Sequence, residues 1–150
     1  MSIQTLATTV TTPVPARSIT RYTAPAARVL LGLVFFVCGL DGFLHFLPQP
    51  TEPPPEGAMT FAIALLKSGY MFPLIKGTEV LVGALLLSNR FVPLALALIA
   101  PVIVNIVAVH TFLAPSGLGV AVVILALEIY LAWSYRKAYL PMLAARVTPG

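Results

Sequence analysis

The stretch MFPLIKGTEVLVGALLLSNR, Met71 to Arg90, is aliphatic enough over most of its length to lie in a bilayer, yet Lys76 and Glu79 sit inside it. The fold turns on whether this segment is in a membrane, because a charge that faces lipid costs several kcal/mol. Composition answers that. Hydrophobic residues make up 59% of the chain and charged residues 9%, against roughly 25% charged in ordinary soluble domains. So few charges cannot clothe a water-facing surface.

Working outward, four long apolar segments stand out: about Ala26 to Leu47, Phe72 to Ser88, Phe91 to Leu113 and Leu118 to Tyr135. Each is close to the roughly 17–25 residues that cross a bilayer as a helix, the second being the shortest. Apolar and polar residues do not alternate strictly, which argues against a membrane barrel. The turns SNR and APSG are short, so consecutive spans must run antiparallel. The expected fold is an all-α integral membrane protein: an antiparallel four-transmembrane-helix bundle over 26–143, after a disordered cytoplasmic tail (1–25) and before a short cytoplasmic tail (144–150). No cleavable signal peptide is read ahead of the first span. Between the first two spans lies PQPTEPPPEG, a proline run that ends a helix and favours stiff, extended chain. AMTFAIALLKSGY follows, too short to span and expected as a short helix in the outer interface. Pro101, inside the third span, predicts a kink.

The basic residues orient the bundle. With the N-terminus inside, Arg17, Arg21, Arg28, Arg90, Arg136, Lys137 and Arg146 fall on the cytoplasmic side, leaving Glu52, Glu56 and Lys67 outside. Both termini are therefore expected in the cytoplasm of a bacterial-type inner (cell) membrane. Trp133, Tyr135 and Tyr139 would form an inner aromatic belt and Tyr70 part of an outer one. The basic residues form no continuous groove-binding face, so nucleic acid is not an expected partner. Cys38 is the single cysteine, which rules out an intrachain disulfide or CxxC pair.

Seven polar or ionisable residues lie within the spans: Asp41, His45, Lys76, Glu79, Asn105, His110 and Glu128. All but the deeper Asn105 and Glu128 crowd toward the outer ends, so one outward-facing polar band is expected. Asp41 and His45, four apart, should share a helix face. Lys76, Glu79 and Gly83 should share another, whereas Asn105 and His110 stand about 140° apart on an ideal helix. One lysine cannot neutralise Asp41, Glu79 and Glu128 together. Either a histidine is protonated or one carboxyl is neutral, and Glu128, the deepest, is the expected neutral one. Bland alternatives stand beside each role. Lys76–Glu79 can be a structural ion pair, Lys76 can snorkel, Asn105 can be interhelical glue and His45 can simply be interfacial.

The order Arg28 and Gly32, then Gly39, Gly42, His45 and Phe46, a proline-bearing outer loop, Lys76, Glu79 and Gly83, Asn105 and His110, and a late Glu128 resembles the DoxX family. The resemblance runs from about Arg28 to Tyr139 and rests on the order of short motifs. It implies a small four-helix inner-membrane protein, whose namesake members are associated with thiosulfate:quinone oxidoreductase and which often works with partner subunits. The resemblance carries over Arg28, His45, Lys76, Glu79, Asn105 and Glu128; together with Asp41 and His110 of the polar band, Glu79, Glu128 and Asp41 are candidate catalytic, proton-relaying residues, and Arg28, His45, Lys76, Asn105 and His110 candidate substrate- or quinone-binding residues. No metal site is assigned, since no HxxxH or HExxH spacing occurs, although His45, Asp41, His110 and Glu79 are of ligand type for a divalent metal as a minor alternative. The sequence carries no haem-attachment CxxCH, no iron–sulfur cysteine set and no nucleotide-binding glycine loop. A quinone is the candidate cofactor, and a b-type haem between His45 and His110 is a minor alternative. Expected partners are the lipid bilayer, a redox partner subunit and a second copy of the chain. A proton-coupled or small-molecule carrier and a non-catalytic membrane anchor are the competing readings.

Overall fold

The computed structural model describes residues 20–48 and 52–145. The tail residues 1–19 and 146–150, including Arg17 and Arg146, and residues 49–51 of the proline run lie outside the described residues. Among the described residues all regular structure is helical: α1 (Thr20–Leu44), α2 (Glu56–Lys67), α3 (Met71–Leu87), α4 (Val92–Phe112), a 3₁₀ turn (Pro115–Gly117), α5 (Leu118–Ser134), α6 (Arg136–Tyr139) and a final 3₁₀ turn (Leu140–Leu143).

The four apolar segments become α1, α3, α4 and α5. α1 begins at Thr20 rather than near Ala26, so the expected tail boundary at residue 25 is too late. The Thr23 hydroxyl hydrogen-bonds the Tyr130 hydroxyl of α5, a tertiary tie that holds polar first turns with no apolar stripe to announce them. α1 also stops at Leu44, short of Leu47, because His45 takes a left-handed φ of 51°. α4 continues as helix through Pro101.

α1, α4 and the α5 segment are each long and apolar enough to cross a membrane. α3, with 17 residues, is about 26 Å long at helical rise, less than a bilayer core of roughly 30 Å. It passes the same length test only jointly with α2, from which it is bent by 93°. The count is therefore three spans, or four if the bent pair is one. Gly69, with φ 78°, supplies the left-handed turn between them. α2 buries none of its residues, and Met59, Ile63 and Leu66 stay exposed, as an interfacial helix requires.

Packing closes a ring: α1 on α3, α3 on α4, α4 on α5 and α5 back on α1, with α1–α3 the most extensive contact. Leu31, Phe35, Val82, Leu86, Leu96, Ile99, Ile103 and Leu131 are fully buried at its centre. Small residues set the α1–α3 separation. A Cβ on Gly83 would lie 2.5 Å from the Phe36 backbone nitrogen, and one on Gly39 2.8 Å from the Val80 nitrogen. Both neighbours are backbone and cannot yield.

Gly83→Val should therefore cost about 1–3 kcal/mol by overpacking. Gly77→Ala, whose Cβ would meet nothing within 4 Å, should be neutral or stabilising by up to about 1 kcal/mol. Thermal unfolding of the two variants in one detergent checks the contrast.

Candidate functional site

Of the expected polar band, only part assembles. Lys76 and Glu79 lie on the face of α3 turned to α1, and the Lys76 Nζ donates to Glu79 Oε2 at 2.8 Å. The lysine keeps 22% of its side-chain exposure and the glutamate 5%, so an accessible donor covers a buried acceptor. A longer contact of 3.4 Å runs from Nζ to the Cys38 carbonyl of α1. The lysine stem lies over Gly42, where a Cβ would come within 2.5 Å of its Cδ. Glycine is needed there to admit the stem. Asp41 and the ion pair all lie close enough to Cys38 to act on it electrostatically. The cluster thus holds two carboxyls against one ammonium.

Asp41 itself closes the end of α1. Its Oδ1 accepts from the Leu47 N–H at 2.7 Å, and its carbonyl from the His45 N–H at 2.8 Å. His45 is exposed and lies beyond the last helical residue, so the four-residue spacing does not bring it over Asp41 as expected. His110 is likewise an end cap. Its Nδ1 donates to the Ala114 carbonyl at 3.1 Å, the oxygen being an acceptor only, and its ring packs on Gly117. It faces the proline run across a cavity also lined by Glu52 and Pro53. Asn105 is exposed and borders a smaller cavity of about 370 Å³ with Phe61 and Leu65 of α2, Met71 and Ile75 of α3, and Pro101.

Arg28 belongs to the other end of the molecule. It is buried and donates to the Leu86 carbonyl. Leu85 and Leu86 also accept the Arg90 and Asn89 N–H groups at 3.0 and 3.2 Å as α3 ends, with Asn89 left-handed at φ 56°. A cation at the negative end of a helix is favourable, so Arg28 caps α3 rather than meeting the Lys76–Glu79 cluster. His45, just past α1, and His110, on α4, belong to helices that are not among the principal packed pairs of the ring. Among the described residues, no three His, Cys, Asp or Glu side chains come together as a metal-holding group.

Glu128 also stands apart from the band. It is 6% exposed, and its Oε2 has no hydrogen-bond partner. It lines an open cavity of about 810 Å³ between α4 and α5, bordered by α6 at the end opposite the proline loop. The walls are mostly aliphatic, with Trp133, Arg136, Lys137 and Tyr139 toward that end. Arg136 donates to the Trp133 carbonyl at 3.0 Å and sits 5.0 Å from the centre of its ring. The Tyr139 hydroxyl donates to the Pro93 carbonyl at 2.9 Å. Burial, with the nearby Glu128 charge adding to it, pushes that phenol above its ordinary range, so it keeps its proton and its bond. Sequence reading placed these four residues only as belt and flanking charge. The spacing of Glu128, Ala132 and Arg136, one helical stripe, was the signal that joins them.

No family model matches this chain, and no curated protein or solved structure matches it.

An ion pair shielded from water is weakened far more by losing one partner than both. Lys76→Met alone should lower stability by about 3 kcal/mol, and adding Glu79→Leu should restore most of that loss. A double-mutant cycle from detergent unfolding midpoints reads the coupling directly.

Proposed function

We propose that this chain is a DoxX-like membrane subunit of a quinone-linked redox system, with Lys76 and Glu79 handling protons in the outer half of an antiparallel four-transmembrane-helix bundle. The observation that carries the reading is the ion pair itself: a part-exposed ammonium at 2.8 Å from a nearly buried carboxyl, set in a helix with no other charged residue. A structural bond alone could use two neutral partners. Reduction of a quinone consumes protons together with electrons, and the ammonium can donate a hydrogen bond to a quinone oxygen while Glu79 passes protons inward. Asp41, beside the pair, is the second carboxyl available for a relay. The chain supplies no electron carrier by motif, so electrons come from a partner subunit or from the substrate. The order of DoxX-like motifs along the chain supports the same assignment.

The bundle is read as inserted in a bacterial-type inner membrane, with Ser88–Arg90 and both termini cytoplasmic and the proline run outside. Basic residues at Arg28, Arg90, Arg136 and Lys137 support that orientation.

Two outcomes test these statements. In a Cys38→Ser background, a membrane-impermeant maleimide added to intact cells should label Ser116→Cys and leave Ser88→Cys unlabelled until the membrane is opened. The reverse pattern refutes the orientation. Protein purified in native lipid should yield a bleachable quinone in an oxidised-minus-reduced spectrum and in its solvent extract, and Lys76→Met should lose it. A silent spectrum with a lipid-only extract refutes the redox assignment in favour of an anchor or carrier.

A further inference from the structure

We infer that the cavity between α4 and α5 is a binding site for an uncharged lipophile bearing a hydroxyl group, with the hydroxyl on Glu128. The site is separate from the Lys76–Glu79 cluster and does not rest on the redox reading. Four observations lead to it.

First, Glu128 is more than nine-tenths buried, yet its Oε2 is without a partner. A buried carboxyl oxygen left unsatisfied costs more than a neutral group would, and Glu128 borders the large open space between α4 and α5. Second, two polar side chains that share the cavity with it are engaged elsewhere. Arg136 is engaged by the Trp133 carbonyl and ring, and the Tyr139 hydroxyl by Pro93. Third, Pro101 has no N–H for the Ala97 carbonyl one turn back, and Ala97 lines the same cavity. The wall therefore offers a second acceptor without its usual helical donor. Fourth, the cavity of about 810 Å³ falls within the roughly 300–1,000 Å³ of small-molecule sites.

Charge selects among occupants. Arg136 and Lys137 border the cavity and disfavour a lipophilic cation. Glu128 disfavours an anion drawn in past them. A neutral chain without a polar group would bring the Glu128 carboxyl no partner. A hydroxyl meets the requirement whichever state the carboxyl holds, because it donates to a carboxylate and accepts from a carboxylic acid.

Trp133, the chain's one tryptophan, lines the cavity and reports on it. The full chain is placed in lipid nanodiscs and its fluorescence followed as a brominated long-chain alcohol is added. The brominated methyl ester, the quaternary ammonium and the carboxylate of equal length serve as comparisons. The expected result is saturable quenching by the alcohol and only linear, partition-type quenching by the other three. Glu128→Leu should weaken the alcohol's apparent affinity about tenfold, the scale of one lost hydrogen bond to a charged group. Because that substitution removes an unpaired buried polar group, it should not impair folding. Ala100→Phe, which fills the cavity and leaves Glu128 in place, should abolish saturation. Linear quenching by the alcohol, or saturation unchanged in both variants, means that ordinary lipid fills the space and overturns the site. Saturation by the ester, the ammonium or the carboxylate as strong as by the alcohol overturns the hydroxyl class.

Discussion

The contact between α1 and α3 is the constraint on which the rest of the molecule depends. Helices this apolar on their outer faces are not paired by apolar burial alone, so association has to come from close approach and from polar groups that need each other. Gly39 and Gly83 allow the approach, since any side chain there would strike the facing backbone. The Lys76–Glu79 pair supplies the polar part, reaching across Gly42 to the Cys38 carbonyl. Arg28, capping the far end of α3 from α1, fixes the same two helices at their other end. With that pair set, α4 and α5 complete a ring whose centre is wholly aliphatic and aromatic.

The two ends of the ring treat their acidic groups differently, and the difference has chemical meaning. Toward the proline run the two carboxyls of α1 and α3 each have a partner: Glu79 the lysine, Asp41 the Leu47 N–H. At the opposite end Glu128 has an oxygen with none, among walls that could have been leucine throughout. A satisfied buried pair serves structure and proton exchange alike. An unsatisfied one is costly to keep unless something else completes it, and the cavity is the space in which that completion takes place.

Helix ends account for the residues that spacing alone assigned to the band. His45 and His110 follow or cap the final turns of α1 and α4, where the chain leaves helical φ and ψ, so counting by fours and fives stops predicting direction. Asn105 turns outward to a small space shared with α2. Such end effects depend on left-handed residues and on carbonyls seeking donors. Neither is visible in a pattern of apolar and polar letters.

What the sequence determined by itself was the all-helical class, the helix positions to within a few residues, a short helix after the proline run, and the shared face of Lys76, Glu79 and Gly83. Each follows from local rules: apolar run length, the helical repeat and the turn chemistry of proline and glycine. Only the tertiary structure decided that α1 starts at Thr20, that α2 and α3 meet at 93°, that Arg28 caps α3, and that Glu128 stands alone in its own cavity. Those facts depend on which helices become neighbours. Neighbour choice is set by shape at a few small residues and by the need to pair buried polar groups, and both arise between segments far apart in the chain.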